Sequence, residues 1–189
     1  MLQIFASLVL ACVAADTAAA IEGKAAFVFG GAGYFHGWSE NDQHEFTPAG
    51  QDNLEKWADM ITINVYPSAR DGDALAVKAN AVLENYKSHG GRVLRTHSVP
   101  RTSDRPAEHF IAFGRPNFLE AAFACFKLVD GVGRSIVYSH RIYGEKVGAQ
   151  MSKWLNDKDP IMEKAPMDWN NSPSPASLRQ LPRTADGRR

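Results

Sequence analysis

Arginine is the residue type whose placement most invites a chemical reading of this chain. Arg92, Arg95, Arg101, Arg105, Arg115, Arg134 and Arg141 all fall between positions 92 and 141. A guanidinium fork grips a carboxylate or a phosphate with two parallel hydrogen bonds. Arg95, His97 and Arg101 from one segment, facing Arg134, His140 and Arg141 from another, would suit a small anionic ligand. The same group would suit a small hydrolase-type enzyme in which His97, His109 or His140 works beside an anion site, because an acid or base must stand within hydrogen-bond reach of its proton. The plainer alternative is surface arginine paired with Asp104, Glu108, Glu120 and Asp130, where exposed ion pairs contribute only about 0–1 kcal/mol each.

The six histidines are His36, His44, His89, His97, His109 and His140. None forms the His-x-x-x-His spacing that sets two metal ligands on one helix face. His36 and His44, with Glu40, Asp42 and Glu45 around them, are the densest set of metal-ligand types and only weak candidates, a solvated polar loop being the default reading. Glu108-His109 and Ser139-His140 are sequence neighbours, and neighbours on a strand point to opposite faces. No catalytic set, metal or other cofactor is therefore expected. Gly30-Gly31-Ala32-Gly33 lacks the third glycine of the dinucleotide fingerprint and the Gly-Lys-Ser/Thr of the phosphate loop, and reads as a linker. Tyr34, Phe35 and Trp38 form an aromatic segment beside a very polar loop. They are either core anchors or a partner-contact surface, where Trp and Tyr dominate binding energy.

Charge excludes some partners. The 189 residues hold 21 Lys+Arg and 21 Asp+Glu, so no net excess of cations is available to displace the counterions of nucleic acid. Residues 2–14 form a compact apolar stretch, shorter than the ~20 residues needed to span a bilayer. Small residues follow, and Val13-x-Ala15 and Ala18-x-Ala20 both suit signal peptidase, although no Lys or Arg precedes the stretch. The expectation is a signal peptide over residues 1–20 and a periplasmic or secreted protein. Val9-Leu10-Ala11-Cys12 resembles a lipobox, so lipidation at Cys12 and membrane anchoring are an alternative. Cleavage beyond Cys12 leaves Cys125 alone, which rules out a disulfide within one mature chain. In its apolar run Cys125 reads as a buried thiol.

The elements that must position these groups follow from periodicity. Ala25–Phe29 reads as a first strand or as the end of the leader, and residues 33–53 as a loop or irregular hairpin. Ile61–Tyr66 alternates β-branched and polar residues and reads as a strand. Leu75, Ala79, Val82, Leu83 and Tyr86 share one helical face over about 72–89, with Asp71 or Asp73 as cap and Gly90-Gly91 as stop. Strands are expected at about 92–99 and 109–114. Residues 119–128 suit a helix by alanine content, or one arm of a hairpin turning at Asp130-Gly131 with residues 134–143 as the other arm. A second amphipathic helix is expected at about 145–157, and residues 161–189, rich in Pro, Asn, Ser and Arg, as a flexible tail.

The predicted fold is therefore α+β over residues 21–160: an antiparallel sheet of about five strands with two amphipathic helices packed on one face. The Ile61–Tyr66 strand, the 72–89 helix, the late hairpin and the closing helix resemble the layout of the PsbP-like family of small exported α+β domains, which includes the bacterial DcrB-like lipoproteins. The resemblance covers about residues 40–157 and implies a non-catalytic binding or accessory role. Its partner would be another envelope protein or a small anionic ligand.

Overall fold

The computed structural model describes residues 24–97, 107–115 and 118–183; the expected signal peptide, Cys12 and Arg101 lie outside them. The chain is α+β with an antiparallel sheet. The strands are β1 (Phe27–Phe29), β2 (Ala32–Glu40), β3 (Gln43–Pro48), β4 (Asp59–Tyr66), β5 (Arg92–His97), β6 (Ala107–Arg115), β7 (Phe118–Val129) and β8 (Val132–Tyr143). The helices are α1 (Gly72–Ser88), α2 (Val147–Asp168) and the short α3 (Pro175–Leu178). The sheet order is β1-β2-β3-β4-β8-β7-β6-β5, so α1 carries the chain from β4 across to the far edge.

Turn chemistry sets the hairpins. Gly30-Gly31, Asn41-Asp42 and Asp130-Gly131 each join two antiparallel strands through two residues at positive φ. That backbone twist matches the right-handed twist of the flanking strands. Gly30-Gly31 is thus a hairpin turn and not a linker. The segment 33–48, expected as loop or irregular hairpin, supplies most of β2 and all of β3. Of the two alternatives the irregular hairpin is the one observed, with a bulge between His36 and Trp38, and its ladder hydrogen bonds come from the backbone whatever the side chains are.

The sheet curls. Phe29 of β1 lies 5.8 Å from Tyr138 of β8, ring to ring, although four strand spacings of about 4.8 Å separate them along the sheet. The concave face holds the larger core, with Phe46, Ile61, Ile63, Ile136 and Tyr138 from the strands and Met151, Trp154 and Trp169 from α2 and its end. The opposite face carries a second core, in which Leu75 and Ala79 of α1 meet Ala122, Ala124, Phe126 and Val137.

This corrects the predicted architecture in strand number and in helix placement. The two helices cover opposite faces of an eight-stranded sheet and do not share one. The reason lies in β7, a hairpin arm whose residues 120–126 are all buried. It has no polar side to give to water, so each face needs its own cover. The predicted tail also differs: α2 runs on to Asp168, and Trp169, Pro175 and Leu178 are buried. Apolar side chains spaced along a polar, Pro-rich segment find a preformed core here.

One close approach ties the segment before α1 to the sheet. Gly133 N–H donates to the Ala69 carbonyl at 2.7 Å, and a Cβ on Gly133 would stand 2.7 Å from the Ala69 Cβ. Gly133→Ala is expected to lower stability by roughly 1–3 kcal/mol, the usual effect of overpacking, measured as a shift in urea midpoint.

Candidate functional site

Strands β4 and β8 are neighbours, and their register sets Asp59 directly opposite His140. Both side chains lie on the concave side with Tyr138, two residues along β8. Asp59 Oδ1 accepts from the Tyr138 hydroxyl at 2.7 Å and from His140 Nδ1 at 2.9 Å. The start of β4 is held by Gln51, whose Oε1 accepts from the backbone N–H groups of Ala58 and Asp59 at 2.8 Å each. Trp154 of α2 lies flat on the imidazole, with 4.1 Å between ring centroids and 4° between planes. The His140 ring is thus fixed from its edge by a carboxylate and from its face by an indole.

Electrostatics follow from this geometry. Burial pushes the Asp59 carboxyl up, but hydrogen bonds from His140, Tyr138 and Gln51 and the His140 charge outweigh it, so the group sits below the usual carboxylate range. Burial and then the Asp59 charge hold the Tyr138 proton in place, and the same two causes raise Tyr34. With Nδ1 donating to Asp59, Nε2 is the ring nitrogen left to meet a ligand or a proton. The side chains remain partly open to solvent, 13% exposed for His140 and 27% for Asp59. An imidazole oriented by a carboxylate can bind a donor or act as a base.

The opposite face carries a second polar cluster at the same end of the sheet. Arg141 Nε donates to Glu120 Oε2 at 2.5 Å. The Arg141 guanidinium carbon lies 3.9 Å from the Trp57 ring centroid and 4.3 Å from that of Phe118. Glu120 is 5% exposed and Arg141 18%, so this pair is sequestered, unlike the exposed ion pairs that were the plainer alternative for the arginines. Aromatic stacking and burial make it a structural clamp whose breakage would strand a buried charge.

A third cluster lies on the β2–β3 hairpin. A bulge between His36 and Trp38 brings His36 Nε2 within 2.6 Å of Ser39 Oγ, and Ser39 Oγ lies 2.7 Å from His44 Nδ1. Burial lowers both imidazoles below the ordinary histidine range, and the charge of each other's ring adds to this at His44. The unfolded chain therefore takes up protons first as pH falls below about 6.5. Stability is expected to drop from there through the folded-state values, by up to about 1.4 kcal/mol per pH unit for each ring. Urea midpoints from pH 7.5 to 4.5 check this, with His44→Gln flattening the curve. His36 and His44 are thus joined through a serine hydroxyl on a hairpin, and no group of three or more metal-ligand side chains occurs among the described residues.

Of the six arginine and histidine positions singled out in the sequence, Arg101 lies outside the described residues, and the backbone sets the other five apart on two strands. Arg134 and His140 share a face of β8 but stand six residues apart, about 20 Å along the strand, and Arg141 points the other way. Arg95 and His97 lie on edge strand β5, three strands and roughly 14 Å from β8. Of the aromatic segment, Tyr34 and Trp38 are buried and Phe35 half-buried, which makes the first two core anchors and not a partner-contact surface. Sequence reasoning found His140 but missed Asp59, Tyr138 and Trp154. The available signal was the odd carboxylate opening an otherwise apolar alternating strand. Among the described residues no helix is long and apolar enough to cross a membrane. Set against known proteins, the chain matches no family model and no curated sequence.

Proposed function

We propose that this chain is an exported binding or accessory protein whose ligand meets it at the Asp59–His140 rim. The observation that carries the reading is the His140 ring, oriented by Asp59 and Trp154 and still 13% exposed. A pre-set imidazole against an indole recognises a small polar ligand with little ordering at the moment of binding. Export rests on the apolar leader and its alanine-rich cleavage positions, and a non-catalytic role on the layout shared with PsbP-like domains.

The geometry favours one second reading, a hydrolase-type enzyme with His140 as general base, because Asp59 orients the ring as base-orienting carboxylates do. One experiment separates the two. The protein and its His140→Gln variant are screened with small carboxylates, phosphates and amines by intrinsic tryptophan fluorescence, and in parallel with chromogenic ester and phosphoester substrates. Binding predicts a saturable fluorescence change that His140→Gln removes, without turnover. Turnover that His140→Gln abolishes overturns it in favour of catalysis. Mass spectrometry of the native N-terminus tests export, which an intact Met1 would refute.

A further inference from the structure

The strangest electrostatics in the molecule lie at the other end of the concave face. Arg134 is 1% exposed and is the largest fully buried side chain in the described residues. Among the described residues no carboxylate bonds to it. Its Nη1 donates to the Pro173 carbonyl and its Nη2 to Ser172 Oγ, both at 2.5 Å, and its buried Nε has no partner. Directly opposite on β7 stands Lys127, whose Nζ donates to the Trp169 carbonyl at 3.2 Å. The two like charges act on each other, and Lys127 is half-buried. Among the described residues, the Cys125 side chain and exposed Asp130 in the hairpin turn act on Arg134 through space, without a bond to it.

For a fold alone this arrangement is unfavourable. Like charges directly opposite on a sheet destabilise it, and a buried cation without an anion is costly to desolvate. What neutral partners these cations have come from one segment, residues 169–173, whose carbonyls and hydroxyl stand where an anion's oxygens would. That segment continues into α3, and Trp169, Pro175 and Leu178 anchor it on the core. It lies over the cations as a strap.

We propose that Lys127 and Arg134 form a binding site for a phosphate dianion, with the strap at residues 169–173 as its intramolecular occupant. Two cations match a dianion in charge, and the guanidinium fork matches it in geometry. The unpartnered Nε is the donor the strap fails to satisfy and a phosphate oxygen would. This site is distinct from the Asp59–His140 rim, about 20 Å away along β8, and does not depend on that reading.

Inorganic phosphate is the probe and the full chain the sample. Thermal midpoints are measured with phosphate and with chloride at matched ionic strength, for the native protein, Lys127→Gln and Ser172→Ala. A one-site ligand at a hundredfold excess over its dissociation constant raises the midpoint of a chain this size by roughly 5–10 °C. Ser172→Ala weakens the competing strap, so the phosphate shift is expected to be largest there, intermediate in the native protein and smallest in Lys127→Gln. Trp169 reports strap release as a change in emission that phosphate produces and chloride does not. Equal phosphate shifts in all three proteins are the general stabilising effect of a strongly hydrated anion and overturn the proposal. A shift that survives Lys127→Gln undiminished overturns it as well.

Discussion

Phe126→Ala is expected to lower the unfolding free energy by roughly 3–5 kcal/mol, and Phe123→Ala by a similar amount. The two side chains are three positions apart on β7 and point to opposite faces. Phe126 is fully buried with Ala122, Ala124 and Val137 beneath Leu75 and Ala79 of α1. Phe123 is buried against Tyr138 and Trp154 beneath α2. Were both helices on one face, one of these rings would face water, and its truncation would move the urea midpoint by less than about 0.5 kcal/mol in stability. Two large losses are therefore the signature of a sheet covered on both sides. A small loss at Phe126 would refute the placement of α1, and a small loss at Phe123 that of α2.

The second large effect is at Asp59. Asp59→Ala removes the acceptor shared by the Tyr138 hydroxyl and His140 Nδ1. A buried donor left without a partner costs about 1–3 kcal/mol, so the expected loss at neutral pH is roughly 2–4 kcal/mol. Asp59→Asn keeps an acceptor oxygen and is expected to fall between Ala and the native protein. The two also differ in pH response. Because the folded-state pKa of Asp59 is depressed, its contribution is complete above the unfolded-state value of about 3.9 and disappears as pH falls through the lower, folded-state value. The native protein should lose stability across that window more steeply than Asp59→Asn. This acid limb lies below the one set by His36 and His44, so urea midpoints from pH 7 to 2 resolve both. Parallel curves for the two proteins below pH 4 would show that Asp59 holds no depressed charge.

The elements best read in the sequence are those whose signals are local. Leu75, Ala79 and Val82 recur at helical spacing, and Asp71 caps the helix by accepting from Ala74 N–H at 2.8 Å. Ile61–Tyr66 alternates and forms most of β4. Asp130-Gly131 marks the turn between β7 and β8. Where competing signals overlap, local reading divides. Ala121, Ala122 and Ala124 favour helix by propensity, yet the two-residue turn that follows commits the run to a hairpin. In residues 33–48, glycine and polar side chains obscure two strands that cross-strand pairing stabilises.

The site was less legible than the fold. Asp59 and His140 are 81 residues apart in sequence and meet only because the β4–β8 register sets them opposite. The three histidine-serine groups at 36, 39 and 44 meet because a bulge shifts the β2 register. Arg134, one surface candidate among several when read along the chain, is buried because residues 169–178 fold back over it.

What depends on neighbours within a few positions was readable in the amino-acid order: the α+β class, the antiparallel pairing implied by short connections, and the α1 helix with its cap. The tertiary structure alone decided which face each helix covers, which carboxylate orients His140, and which segment occupies the cations Lys127 and Arg134. Those contacts join residues far apart in the chain, as Arg141 with Glu120 at 21 positions and His140 with Asp59 at 81, and chain closure over such distances leaves no periodic trace in the amino-acid order.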